Sequence, residues 1–532
     1  MSNTRAILLC AGIGRRMLPI LDCNKGLLPV GGYDSNVSHL VDLLVSKGIK
    51  DIIIVTNPLA ADEYTDLVEN CFPEYAKVVV IQEYTRGCNN EVTMRAICDY
   101  IGDSYIIEAD QYIEDSSIFS AHNPQGKSYL YTYKRGPEDW SVYSDLDGRV
   151  EHINTENPDD AYCLGGVIYL CQRDANILKY SLRASKSIDK YWESYLDPSK
   201  MNIYQVKCSK YSVEYDNIEE LLKSKLMTTE GVAKLVDDEG KPERLNSMTN
   251  DTFLVTWNGD KKVLRLPGLG TEDFVDHERE SKVESIVQEE CPGISPRSIF
   301  FSAHKGVKIT DYLEGYHIFG EENDDFSFIL RALDEIHQIT RIGHPSYVSV
   351  DLFINLIEEL EIYEQMSRVI APYEAYSTVR EFVVDYLKDH LRDYELCIVH
   401  RDLVPENILV KNCGDSDIYN RVELLNSDLP DVQFIDWEYS GVLTKYWDYA
   451  SLILEYADRY HQPVSAIKQE FLRCHPHPAE LNRVSIDIWM VIVDFIWSAW
   501  SLAKYASGDD VYEYGKRRFL RAYGHLLELT EP

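Results

Sequence analysis

The chain has 532 residues, 45% hydrophobic and 27% charged, the balance of folded globular protein and, at this length, of about two to four domains. Its 88 acidic and 53 basic side chains leave a formal net charge of −35, which argues against nucleic-acid binding and docking on anionic membrane and is compatible with a cationic substrate. The 12 cysteines are scattered with no CxxC pair, so neither a zinc ribbon nor a dithiol motif is expected. Met1 runs directly into a strand-like segment at 6–9, so no signal peptide is expected and a reducing cytoplasm is the expected compartment.

Short apolar runs at 6–9, 51–55, 78–81 and 105–107 alternate with helical patterns such as 38–47 and 90–100, which predicts a mainly parallel α/β sheet. The first run opens into Leu9-Cys10-Ala11-Gly12-Ile13-Gly14-Arg15-Arg16, with Lys25 a little further on. Glycines at a strand end let backbone N–H groups approach phosphate, while Arg and Lys offset the charge of a triphosphate. No GK[ST] follows, so this is not a P-loop, and the third glycine of the dinucleotide fingerprint is missing.

With Asn24-Lys25-Gly26-Leu27-Leu28-Pro29 and Glu108-Ala109-Asp110, this run resembles the nucleotidyltransferases that join an NTP to a phosphorylated small molecule. The resemblance implies triphosphate contacts from Gly12, Gly14 and Arg16, a phosphate contact from Lys25, and Mg²⁺ on Asp110. Cys88-Asn89-Asn90, Asp139-Trp140-Ser141-Val142-Tyr143 and Tyr191-Trp192-Glu193 narrow it to the bacterial CTP:phosphocholine cytidylyltransferases, over about residues 5–225. That family implies nucleotide contacts at Asn89 and Asn90. It also implies a second metal carboxylate after the Tyr-Trp pair, here Glu193 where the family usually has Asp, with Asp216 as a rival. Trp140 and Tyr191 are candidate walls of an aromatic box, since a quaternary ammonium binds over π-faces. Either ring taken alone is more often core.

Residues 226–246 are polar and include Asp237-Asp238-Glu239-Gly240-Lys241-Pro242, which predicts a linker between a domain at 1–225 and another at 247–532. Asn258-Gly259-Asp260 marks a hairpin, and after residue 327 the pattern turns long and helical. There, His400-Arg401-Asp402-Leu403-Val404-Pro405-Glu406-Asn407 has the HRDLxxxN pattern of a kinase catalytic loop, and Ile435-Asp436-Trp437-Glu438 stands where a metal-binding Asp belongs. Phosphoryl transfer needs a carboxylate near the attacking hydroxyl, here Asp402, and oxygen ligands for Mg²⁺, here Asn407 and Asp436.

No VAIK lysine is present, Val263-Leu264-Arg265-Leu266 offers an arginine instead, and Asp436-Trp437-Glu438 replaces DFG. From about residue 244 onward these features, with Met248-Thr249-Asn250 and Trp447-Asp448, resemble the bacterial choline kinases of the aminoglycoside-phosphotransferase-like superfamily. The resemblance implies a bilobal fold, with a small β-rich lobe at about 247–325 and a helical lobe at about 326–532. It also implies that Arg265 contacts ATP phosphates while paired with Glu280. Asp494, Trp497 and Trp500, spaced i, i+3 and i+6, share a helix face that suits a trimethylammonium group, with Tyr514 and Glu438 completing the pocket. The alternative is a buried helix with two packing tryptophans. Asp494 interrupts the apolar stretch 488–503, which falls short of a membrane-spanning helix.

Together the halves predict a bifunctional enzyme that phosphorylates choline with ATP and condenses phosphocholine with CTP to give CDP-choline and pyrophosphate. Ethanolamine, an aminophosphonate or another small amino alcohol is the alternative substrate. A sugar-1-phosphate nucleotidyltransferase in the first half, or one degenerate half, completes the set. The expected partners are small molecules and Mg²⁺, with no nucleic acid and no membrane insertion, and the sequence carries no signal for oligomeric state.

Overall fold

The first unit is built on strands Arg5–Cys10 (β1), Asp51–Thr56 (β2), Ala76–Val80 (β3), Ser104–Glu108 (β4), Gln111–Ile113 (β5), Ser128–Lys134 (β6), Ser141–Ser144 (β7), Val150–Asn154 (β8), Tyr162–Leu170 (β9), Ile203–Lys207 (β10) and Ser212–Glu214 (β11). The computed structural model describes residues 4–82, 90–134, 140–154, 162–208, 212–245, 250–268, 274–303, 306–320, 326–339, 350–411 and 432–530. The chain divides into two units, Met1–Lys241 and Pro242–Pro532.

Among the described residues the main sheet has nine strands in the order β10-β6-β9-β4-β1-β2-β3, with β7 and β8 attached beside β9. Strands β3, β2, β1 and β4 are parallel, whereas β9 runs antiparallel to both β4 and β6. The sheet is therefore mixed and mainly parallel. Side chains alternate between its faces. Ala6 and Leu8 of β1 join Ile52 and Ile54 of β2 in one core with Leu40 and Leu44. Ile7, Ile53 and Val55 join the opposite core with Met94 and Leu178. Both faces are covered, which explains why these strands read as continuous apolar runs.

The chain crosses from β1 to β2 and β3, then returns to β4 on the other side of β1. That reversal opens a crevice beyond the carboxyl ends of β1 and β4, the usual ligand position in such sheets. Leu9 lies opposite Glu108, so the glycine turn after β1 and Asp110 after β4 meet there.

The segment 226–246, expected to be a linker, instead contains the helix Thr229–Val236, capped by Thr228 and burying Val232, Ala233 and Val236. It also contains Glu243–Leu245 (β12). The short apolar stripe was masked by the polar residues around it.

In the second unit, β12 pairs with Asp251–Trp257 (β13), followed by Asp260–Leu266 (β14), Lys308–Asp311 (β16) and Ser298–Phe301 (β15), in an antiparallel sheet ordered β12-β13-β14-β16-β15. Asn258 and Gly259 take φ of 54° and 81°, the two positive values of a tight hairpin turn. The helix His277–Glu290 follows β14. Smaller sheets join Tyr316–Ile318 (β17), Ile408–Lys411 (β19) and Val432–Phe434 (β20), and pair Leu396–Val399 (β18) with Gly441–Thr444 (β21). The helices Phe326–Gln338, Leu356–Met366, Tyr376–His390, Tyr446–Tyr460, Val464–Cys474, Arg483–Ala506 and Tyr512–Thr530 supply most of the core. Arg483–Ala506 is longer than the apolar stretch read from the sequence and by length and composition could cross a membrane. Its most apolar window is 89% buried within the protein.

Candidate active sites

In the first unit, the turn after β1 is shaped by one side chain, Asn24. Its Nδ2 donates to the carbonyls of Cys10 (2.7 Å) and Gly12 (2.9 Å), and its Oδ1 accepts from Gly26 N (3.1 Å) and Tyr64 OH (2.6 Å). Gly14 has φ 60°, and a Cβ there would lie 2.9 Å from the Cys23 carbonyl oxygen, so the turn excludes a side chain. Lys25 Nζ lies 3.2 Å from Asp110 Oδ2 and 2.5 Å from Asp216 Oδ1, and Arg16 also pairs with Asp216.

Carboxylate oxygens of Asp110, Glu214 and Asp216 lie within 4.8 Å of one another. Three hard oxygen donors this close fit a divalent cation such as Mg²⁺. The two candidates for second metal ligand thus separate, because Asp216 joins Asp110 while Glu193 accepts from Asn90 Nδ2 at 3.2 and 3.3 Å. Burial pushes the Glu193 carboxyl up to about 7, against the hydrogen bonds from Asn90 and Glu108. Glu108 is held well above the ordinary carboxylate range, first by burial and then by the charges of Glu193 and Asp110. Trp140 and Tyr191 form a corner, ring centroids 6.1 Å apart at 69°. Asn89 lies outside the described residues, as do Cys88, Asp139, Met248 and Thr249.

In the second unit, Asn407 Nδ2 donates to both the carbonyl and the Oδ2 of Asp402, each at 3.0 Å. This leaves the Asn407 amide oxygen and the Asp436 carboxylate as hard donors that fit Mg²⁺. Burial, then Asp436 and Glu455, push the Asp402 carboxyl up to about 7, opposed by Arg518. Arg265 grips Glu280 through Nη1 (2.7 Å) and Nη2 (2.8 Å), and its Nη1 lies 3.2 Å from Asp436 Oδ1.

Arg401 and Asp436 both have positive φ, 72° and 63°, which is costly without glycine. Asp448 holds the loop in that shape, accepting from His400 N (3.0 Å) and Arg401 N (2.8 Å), while His337 Nε2 lies 2.9 Å from it. His400 Nε2 faces the Ile435 carbonyl at 2.9 Å, and burial lowers this imidazole to about 4, so it is neutral and Nε2–H donates.

Tyr439, Trp497, Trp500 and Tyr514 form an aromatic cluster. The Tyr439 and Trp497 centroids lie 5.0 Å apart, those of Trp497 and Trp500 5.5 Å, and those of Trp500 and Tyr514 6.5 Å. Trp500 Nε1 donates to Tyr439 OH at 3.1 Å. The Asp402 charge is felt at both Tyr439 and Tyr514.

Asp494 corrects the sequence reading. Its oxygens accept from Arg521 Nε (2.6 Å) and Nη2 (2.8 Å), and Arg518 Nε lies 3.1 Å away. A fully buried carboxylate needs partners, and this one has two arginines. Glu438 is buried and accepts from Asn250 Nδ2 at 2.9 Å, close to Asp436 and Arg265.

Several participants escaped the sequence reading. Glu455, paired with Arg518, sits seven residues after Asp448 on the helix Tyr446–Tyr460 and so on nearly the same face. Glu214 ends β11 two residues before Asp216, and only the fold brings both carboxylates to Asp110. Nothing local marked Asn24 as the organiser of the glycine turn.

The choline/ethanolamine kinase family matches residues 243–481. A solved choline kinase, LicA from Streptococcus pneumoniae, is 24% identical, covering 54% of this chain and 93% of that one with a TM-score of 0.44. Over the other end, a choline-phosphate cytidylyltransferase from Streptococcus pneumoniae is 22% identical across 234 residues, 41% of this chain and 99% of the relative. A 2-aminoethylphosphonate cytidylyltransferase from Lancefieldella rimae is 28% identical across 181 residues, 33% of this chain and 70% of the relative. The chain is thus an enzyme with a nucleotidyltransferase segment, similar to cytidylyltransferases, and a phosphotransferase segment that the choline/ethanolamine kinase family model matches over residues 243–481.

Proposed function

We propose that this chain phosphorylates choline with ATP in its second unit and, in its first, condenses phosphocholine with CTP to CDP-choline and pyrophosphate. The observation that carries the reading is the cluster of Tyr439, Trp497, Trp500 and Tyr514, two of whose rings feel the Asp402 charge. Four aromatic rings suit a trimethylammonium head, which offers charge but no N–H donor, while at Tyr514 the carboxylates Glu455 and Asp402 stand against the Arg518 cation. A hydroxyl two carbons from that head then reaches Asp402, which orients it and takes its proton as the γ-phosphoryl group transfers. Arg265, braced by Glu280, meets the phosphates. Asn407 and Asp436 would hold Mg²⁺, which neutralises charge on the phosphates.

In the first unit, a phosphocholine oxygen attacks the α-phosphorus of CTP and pyrophosphate leaves. Lys25 and Arg16 stand where they can release Asp216 and turn to the triphosphate. Asp110, Asp216 and Glu214 would hold Mg²⁺ there, and the Trp140–Tyr191 corner would receive the ammonium head. The setting we infer is the cytoplasm, with CDP-choline serving to decorate a surface glycan or lipid with phosphocholine.

A primary amino alcohol or aminophosphonate is the second reading, favoured by the similarity to the 2-aminoethylphosphonate enzyme. An aminophosphonate already carries its phosphorus through a carbon bond, so the kinase half would have nothing to do. A primary ammonium also seeks several acceptors rather than ring faces. Product analysis by mass, with ATP, CTP, Mg²⁺ and a panel of choline, ethanolamine and 2-aminoethylphosphonate, separates the two readings. Choline turnover well above the others supports the first, and preference for a primary amine overturns it.

A further inference from the structure

We propose that Lys308 is a positioning residue of the phosphotransferase site, holding Glu280 so that Arg265 is free to turn toward the nucleotide phosphates. This rests on the kinase reading above. Arg265 and Lys308 are direct cross-strand partners of β14 and β16, so their side chains leave the same face of the sheet. Both cations lie over the Phe301 ring, at 5.4 and 5.0 Å from its centroid.

Lys308 is buried, pairs closely with Glu284, and lies 3.6 Å from Glu280 Oε1. Glu280 and Glu284 stand one turn apart on the helix His277–Glu290 and face the two cations together. Glu284 has further partners in Ser298 Oγ (3.0 Å) and Gln288 Nε2 (3.1 Å). Glu280 is fully buried and relies on Arg265, Lys308 and His277, whose Nδ1 lies at 3.2 Å.

Arg265 therefore serves two anions, Glu280 and Asp436, before any nucleotide arrives. A triphosphate adds more negative charge on the same side. A buried carboxylate is strongly destabilised when its cation leaves. Arg265 can lean toward phosphate only if a second cation stays with Glu280, and Lys308 is the cation in that place. Its strand position opposite Arg265 keeps Lys308 there, and Glu284 balances its charge.

The test uses the full chain and measures the ATP–Mg²⁺ dissociation constant by calorimetric titration, together with the Tm. Lys308→Met should weaken ATP binding about tenfold and lower the Tm, because Glu284 loses its cation. Lys308→Met with Glu284→Gln removes the pair without stranding a charge. It should recover the Tm while ATP binding stays about tenfold weak. Glu284→Gln alone leaves Lys308 with Glu280 and should hold ATP binding within about threefold of the parent. Recovery of ATP affinity in the double variant, or a loss in Glu284→Gln as large as in Lys308→Met, would overturn the proposal. A parent chain that binds ATP yet phosphorylates no amino alcohol would overturn the substrate reading instead, while the comparison of dissociation constants still decides the role of Lys308.

Discussion

At the scale of single residues, Asp494 and the two tryptophans separate by what touches them. The Asp494 carboxylate is taken by Arg518 and Arg521 inside the core, whereas Trp497 and Trp500 line an aromatic cluster with Tyr439. Asp494→Asn should therefore destabilise the second unit by about 3 kcal/mol, read by urea unfolding, because it leaves buried arginines short of a partner. Its effect on the KM for choline should be the smaller one. Trp497→Ala or Trp500→Ala should raise that KM about tenfold and the KM for ethanolamine much less, measured by steady-state kinetics. The sequence placed all three side chains on one helix face, and the structure keeps them there. Their division of labour was not legible, because the arginines that claim Asp494 lie on another helix 24 and 27 residues further along. Glu193 and Asp216 are a similar case. Only the fold brings Asp216 beside Asp110 and turns Glu193 toward Asn90.

At the scale of elements, the catalytic loop is a strained turn held from behind. Arg401 and Asp436 occupy left-handed backbone, and Asp448 at the start of the helix Tyr446–Tyr460 ties down the His400 and Arg401 amides. Asp448→Asn keeps the shape but gives up the anion that both amides and His337 face. It should lower the kinase kcat about a hundredfold with little change in the KM for ATP, measured by coupled assay. The alternating strands and helices of the first unit were legible, since both cores follow from the period of β1 and β2. The helix Thr229–Val236 was not, because its apolar face is only Val232, Ala233 and Val236 within a polar run.

In the whole molecule, the two cores of the mixed sheet belong to Met1–Lys241 and the large helical core belongs to Pro242–Pro532. Separate chains covering 1–241 and 242–532 should each keep their own half-reaction at about the rate of the intact protein, assayed with phosphocholine and CTP or with choline and ATP. Two consecutive steps on two separate sites give Asp402→Ala a divided outcome. The variant is incubated either with choline, ATP, CTP and Mg²⁺ or with phosphocholine, CTP and Mg²⁺, and the products are weighed by mass spectrometry. CDP-choline should be lost from the first mixture and formed at the parent rate in the second. Loss from both mixtures, or formation in both, would contradict the account.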